Sequence, residues 1–324
     1  MIPPIVLAPL AGGPSTPELA AAVSNAGGLG FLAAGYLPPD VFAEQLRRTR
    51  ELTNEPIGVN VFVLDDVEVD NDAVAAYALE LEPEAEARGV QLGKPRFDDD
   101  WLAEKVEVVV RADVEVVSTT FGCLTPDTVD RLQESGTRVW ATVTAAHEAR
   151  AARDAGVDAL VVQGAEAGGH RGAWRDDGEA TPLRELLASI DVGLPIVATG
   201  GIVDRDGVAA VLAAGAQAAQ LGTAFLLCPE AGTSEPHRRA LRNPGETDFT
   251  RAFTGRSARG IVNRFLVEHP NAPSAYPQIH HLTAPLRAAA RAAGDADGIN
   301  LWAGVNFARA EERPAAEIVA LLRP

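Results

Sequence analysis

Lysine is nearly missing from this chain of 324 residues: Lys94 and Lys105 are the only two, and every other basic side chain is an arginine. Neither lysine ends an apolar run, which disfavours the lysine-dependent chemistry of an aldolase-type barrel. Positive charge is scarce altogether. Against 45 acidic residues stand 28 basic ones, for a net charge of −17. Nucleic acid and anionic membrane are disfavoured as partners, because both demand basic patches. The two cysteines, Cys123 and Cys228, give neither a disulfide framework nor metal-ligand spacing, and each is expected to be a small buried apolar residue. No uninterrupted apolar run reaches the ~18 residues of a membrane span. The start, MIPPIVLAPLAGG, lacks the charged head and long apolar stretch of a signal peptide. A cytoplasmic location is therefore expected, and self-association is left open. Also missing are a GxGxxG fingerprint after the first strand and a P-loop, which disfavours a dinucleotide-binding Rossmann domain and a nucleotide hydrolase.

What the chain does contain is a 47% apolar composition, enough to bury a large core, arranged as short apolar runs alternating with Ala-rich amphipathic stretches. Strands are expected near Ile5–Ala8, Leu29–Ala33, Ile57–Phe62, Val114–Thr119, Arg138–Val143, Ala159–Gln163, Pro195–Thr199 and Ala218–Gly222. Helix patterns fall between them, with start signals such as Ser15-Thr16-Pro17-Glu18 and Thr125-Pro126-Asp127 and stop signals at Gly156 and Gly215. Buried β-branched runs separated by helices signal parallel βαβ units. This number of strands in so short a span predicts a (β/α)8 TIM barrel over residues 1–228. Residues 65–100 interrupt the rhythm as an acidic insertion after the third strand, with a short helix at Ala73–Ala87 and a solvated charged face. Residues 229–324, with helical stretches at Ala284–Ala293 and Pro314–Leu322, are expected to form a smaller, mostly helical substrate-binding lid.

In such barrels chemistry sits where strands end. After the sixth strand runs Gln163-Gly164-Ala165-Glu166-Ala167-Gly168-Gly169-His170. A histidine on a glycine-rich loop there suits proton transfer near neutral pH. His147, His237, His269, His280 and His281 have no such setting and default to surface or structural roles. Asn60 lies within an apolar strand and is either bonded to backbone or a ligand donor. Glycines follow strands seven and eight, at Thr199-Gly200-Gly201 and Gln220-Leu221-Gly222-Thr223. Next to the helix start at Asp204, they predict a phosphate site made of main-chain N–H groups and a helix dipole.

At these positions the sequence resembles the nitronate monooxygenase family, formerly 2-nitropropane dioxygenases. The resemblance rests on Ala8-Pro9-Leu10-Ala11-Gly12-Gly13, Ser24-Asn25-Ala26-Gly27-Gly28-Leu29-Gly30, Gly58-Val59-Asn60-Val61-Phe62, the 163–170 loop, Ala198-Thr199-Gly200-Gly201 and Gln220 to Thr223. Tyr276-Pro277 and Leu301-Trp302-Ala303-Gly304 extend it into the tail. Leu10 stands where methionine is usual, and Val305-Asn306 where a glutamine is common.

This resemblance implies an FMN-dependent enzyme oxidising alkyl nitronates with dioxygen to a carbonyl compound and nitrite. It implies FMN contacts from Ala8, Pro9, Leu10, Asn60, Gln163, Gly168, Gly169, Gly200, Gly201, Gln220, Leu221, Gly222 and Thr223. His170 would be the catalytic residue, as a base or as the group that positions substrate, and Tyr276 would line the substrate pocket. The alternative is an NAD(P)H-dependent FMN reductase on the same barrel, similar to enoyl-acyl-carrier-protein reductases, which share the Glu-Ala-Gly-Gly-His loop, or to a quinone reductase. A third is a phosphate-ligand-binding barrel without redox activity.

Overall fold

A computed structural model describes residues 1–178 and 180–324. In chain order the strands are β1 (Ile5–Leu7), β2 (Gly30–Ala33), β3 (Ile57–Phe62), β4 (Val116–Thr120), β5 (Arg138–Val143), β6 (Ala159–Gln163), β7 (Gly169–His170), β8 (Ile196–Thr199), β9 (Ala218–Leu221), β10 (Thr247–Thr250) and β11 (Ala258–Ile261). Eight of them form a parallel sheet in the order β1-β9-β8-β6-β5-β4-β3-β2. Val6 bridges Leu29 just before β2, where the Leu7 N–H donates to the Leu29 carbonyl at 2.9 Å. That contact closes the sheet into a barrel, so no edge strand is left to pair elsewhere.

Both surfaces of these strands are covered, which is why they read as apolar runs without alternation. Inside the barrel lie Val6, Phe31, Val116, Trp140, Val161 and Val197. Outside, a second layer joins strands to helices, with Leu19, Phe42, Val109, Val129, Ala149 and Val208 fully buried. The start signals act as expected. Thr16 Oγ1 caps the helix Pro17–Asn25 by accepting the Leu19 N–H at 3.0 Å, a contact typically worth about 1 kcal/mol. Gly156 and Gly215 take left-handed φ values of 87° and 101° after their helices.

Two features fall outside the expected division. The helix Asn71–Arg88 of the insertion carries acidic residues to solvent but also an apolar stripe. Val74, Tyr77, Leu81 and Ala85 pack with Phe253, Phe265, Ile279, Leu282 and Leu286 into a separate core above the barrel. Its partner helix runs over Gln278–Ala292, several residues earlier than the sequence suggests, with Pro285 inside it. Proline removes one donor from the helix's backbone ladder by lacking an N–H, and the insertion docks beside that break: Gly93 N–H donates to Leu282 O at 2.9 Å. A Cβ at Gly93 would stand 1.9 Å from His281 O.

The second feature is the last helix, Ala315–Leu322. It leaves the lid and returns to the barrel layer, burying Ala315, Ile318, Val319 and Leu322 in the main core beside the helices Pro17–Asn25 and Arg205–Ala213. Residues 229–324 therefore supply both a cap and the helix that completes the barrel's outer ring. The cap also holds a small antiparallel sheet, ordered β10-β11-β7. Among the described residues no helix is long and apolar enough to cross a membrane.

Candidate functional site

The barrel's C-terminal face opens into a cavity of about 560 Å³ beneath the cap, a size suited to a small-molecule ligand. It is walled by Ala8, Pro9 and Leu10 after β1, Asn60 in β3, Gln163 at the end of β6, Gly168, Gly169 and His170, Gly200 and Gly201 after β8, and Gln220, Leu221, Gly222 and Thr223 after β9. Tyr276 stands behind His170, with ring centroids 5.7 Å apart. Although the chain has 45 acidic residues, no aspartate or glutamate is among the described residues lining this wall.

One end of the cavity is built from main chain. Among the described residues, the N–H groups of Gly201, Gly222 and Thr223 donate to no acceptor in the protein. Gly201 sits at φ 69°, and a Cβ there would lie 2.8 Å from Glu166 Cβ, so both conformation and space call for glycine. The buried Gln220 amide nitrogen also has no partner, a costly state unless something in the cavity accepts from it. The expected helix contribution is different. The start of Arg205–Ala213 is capped by Asp204, whose carboxylate accepts the Gly207 N–H at 2.7 Å. That helix end is already satisfied by an anion, which leaves the loop amides as the donors. Asn306 fixes this loop from the cap, donating to the Gly201 carbonyl at 2.7 Å.

The other end is built from side chains. β7 pairs with β11, setting His170 opposite Ala258. The imidazole Nε2 lies 2.9 Å from Thr254 Oγ1, while Nδ1 makes no hydrogen bond with the described residues. Phe121, Tyr276 and Trp302 surround the ring at centroid distances of 5.7, 5.7 and 5.5 Å. Burial, reinforced by the charges of Arg256 and Arg287, pulls the His170 pKa down to about 3, so the ring is neutral at physiological pH. Arg256 lies 4.1 Å over the Phe121 ring and bonds the Ala173 carbonyl. Tyr276 donates to the Tyr36 hydroxyl at 3.2 Å, and burial raises both phenols, Tyr36 to about 12. Tyr36 stacks on His280 at 4.2 Å. Its backbone, at φ 70°, is held by Asp100, which accepts the Tyr36 N–H at 2.9 Å and pairs with fully buried Lys105 at 2.6 Å.

Several sequence-derived candidates have a different local task. Gln163 spends both ends of its amide within the chain, donating to His170 O at 3.2 Å and accepting from Gly172 N–H at 2.7 Å. It is a brace for the histidine loop. Gly168 is small because the cap presses on it: a Cβ would lie 2.4 Å from the Ala303 carbonyl carbon and Gly304 N. Asn60 donates to Ser118 O, Ser118 Oγ and Thr120 Oγ1 at 2.9–3.1 Å, leaving its oxygen for the cavity. His237 and His280, assigned by default to surface or structure, line the cavity instead. Tyr36, Phe121, Thr254, Arg256 and Arg287 were not singled out from the sequence, and Trp302 entered only as part of a tail motif without a role. Tyr36 lay within reach of the strand-end rule, three residues beyond β2; the arginines belong to the cap and carry no local signal. Cys228 is buried as expected while Cys123 is only partly so, and burial lifts their thiols to about 12 and about 11.

The chain as a whole is similar to known proteins. The family model described as nitronate monooxygenase matches residues 1–324. The nitronate monooxygenase of Paraburkholderia phytofirmans is 40% identical over 333 residues, covering 98% of this chain and 91% of that protein. A solved nitroalkane oxidase from Streptomyces ansochromogenes superposes with a TM-score of 0.96 at 50% identity, over 98% of this chain and 94% of the other. FabK from Thermotoga maritima matches less closely, with a TM-score of 0.74 at 26% identity over 98% and 91%. The chain is an oxidoreductase that belongs to the nitronate monooxygenase family.

Proposed function

We propose that this enzyme binds FMN and oxidises small alkyl nitronates with dioxygen, giving a carbonyl compound and nitrite. The observation that carries this is the pairing, in one carboxylate-free cavity, of unsatisfied main-chain donors with a neutral histidine in an aromatic wall. FMN fits the donor set: Gly201, Gly222 and Thr223 amides for its phosphate, and the orphaned Gln220 amide and the Asn60 oxygen for the polar edge of its ring. When bound, the flavin supplies the redox chemistry.

The protein's own residues bind, orient and exclude water. A histidine pulled down to about 3 is a weak base in the free site, so it suits a substrate that arrives already deprotonated. The 2.9 Å contact between Nε2 and Thr254 Oγ1 holds the ring in place, and in the tautomer that carries its proton on Nδ1 the imidazole donates to a nitronate oxygen. Phe121, Tyr276 and Trp302 keep water from that contact, which strengthens it. The reductase alternative is favoured by no specific contact in the cavity.

The test is anaerobic mixing of the FMN-loaded enzyme with ethylnitronate and, separately, with NADH. Bleaching of the flavin by the nitronate, with little by NADH, is the expected result. Rapid bleaching by NADH alone would make the enzyme a reductase. Acid extraction of the purified protein is expected to release FMN in equimolar amount.

A further inference from the structure

Arg287 differs from the other paired arginines of this chain. Arg88, Arg131, Arg242 and Arg264 each meet a carboxylate near the surface. Arg287 is buried, 9% exposed, on the cavity-facing side of the helix Gln278–Ala292, and no described carboxylate pairs with it. Its Nε donates to Thr283 Oγ1 at 3.1 Å and its Nη2 to His280 O at 2.8 Å. Both acceptors are neutral. Nη1 donates to none of the described residues, yet it is not among the fully enclosed unpartnered atoms, so it retains contact with the cavity space. Arg291, one turn further along, lines the same cavity and adds a like charge at i+4, which is unfavourable on a helix. A buried cation without a counter-ion is costly. An anion in the cavity removes that cost.

We propose that Arg287 is the anchor for the substrate's anionic group: Nη1 takes a nitronate oxygen, so that the site admits the deprotonated substrate in preference to the neutral nitroalkane. The placement fits the rest of the wall. Arg287 holds His280, His280 stacks on Tyr36, and Tyr36 bonds Tyr276, whose ring adjoins His170. The anchor and the imidazole thus belong to one connected surface. This assignment rests on the cavity being the nitronate site, and the following experiment separates the two.

Nitrate, a planar monoanion, is titrated into the FMN-loaded enzyme and followed by perturbation of the flavin spectrum and by inhibition against ethylnitronate. Arg287→Met is expected to weaken nitrate binding and raise KM for ethylnitronate by about tenfold or more, the usual order for removing one partner of a buried charge contact. Its bound flavin is expected to match the parent's, and any rise in KM for neutral nitroethane to be at least about threefold smaller than the rise for ethylnitronate. Arg287→Lys keeps the charge and is expected to restore most nitrate binding, which guards against a folding defect in the Met variant. Equal nitrate binding by parent and Met variant, or parallel rises in KM for nitroethane and ethylnitronate, would overturn the assignment. Nitrate binding lost on Arg287→Met in an enzyme that never turns over ethylnitronate would keep the anion anchor and sink the proposed activity instead.

Discussion

The two ends of the cavity are made by opposite means. At one end, glycines after β8 and β9 expose main-chain N–H groups, and the side chains there are small or absent. At the other, aromatic rings, a neutral histidine and two buried arginines converge from the turn after β4, β7, the segment between β10 and β11, and the cap helix Gln278–Ala292. Main-chain donors are fixed mostly by the barrel, with Asn306 of the cap bracing the Gly201 carbonyl, and suit a permanently bound group. Side chains need scaffolding, and this chain provides it through Gln163, Thr254 and the Asp100–Lys105 pair. The difference teaches that one end is a socket and the other a tunable surface.

If that contrast is real, disturbing the scaffolding should damage one end alone. The largest effect is expected at the buried pair. Lys105→Met leaves Asp100, 5% exposed, without its cation, and a loss of about 3–5 kcal/mol in stability is the usual result. Urea unfolding of the apoprotein measures it; an unchanged midpoint would mean the pair is not holding the Tyr36 turn. Next, His170→Ala is expected to lower turnover of nitronates by roughly 100-fold with FMN still bound, and His170→Asn, which keeps a donor, to recover part of it. Steady-state kinetics beside the flavin absorbance decides this. At the socket, Gly201→Val forces a branched residue into the left-handed region at a cost of about 1–2 kcal/mol, so FMN affinity should fall roughly 5- to 30-fold. Flavin-quenching titrations read it, and kcat at saturating FMN should barely move.

The smallest effect concerns pH. In the free enzyme His170 stays neutral from physiological pH down to about 3, so nitronate binding should show no inflection near 6.5, the value of an ordinary histidine. The unfolded chain, by contrast, takes up that proton below 6.5. Because the unfolded state then binds more protons, this group's contribution to stability is full above pH 6.5 and declines as pH falls towards 3. A titration of the His170 ring by NMR with a midpoint near 6.5 would contradict the burial argument.

The socket was legible in the sequence, while at the side-chain end only His170 and Tyr276 were. Barrel strands such as Ile57–Phe62 and Arg138–Val143 are covered on both faces, which writes them as apolar runs bounded by Pro and Gly. The glycines at 200–201 and 222 and the histidine at 170 follow strands directly, so position alone exposed them. Thr254 and Arg287 reach the cavity, and Arg256 the Phe121 ring beside it, only because the cap folds back, a consequence of contacts some 80 to 120 residues away from the histidine loop in sequence. β10 and β11 escaped notice because Thr247–Thr250 is short and partly exposed, without alternation. Pro285 disguised the first half of its helix, whose break is tolerated because the insertion packs against it. Asp204, read as the start of an anion-attracting helix, proved to be the anion that satisfies it.

The central claim is that main-chain donors beyond β8 and β9 hold a terminal phosphate. Comparing the equilibrium affinities of the apoprotein for FMN and for riboflavin tests it most directly, since the two differ only in that group. The account predicts that FMN binds at least about 100-fold more tightly, as a few charge-assisted hydrogen bonds would give, and that Gly201→Val narrows the gap. Equal affinities for the two flavins would contradict it.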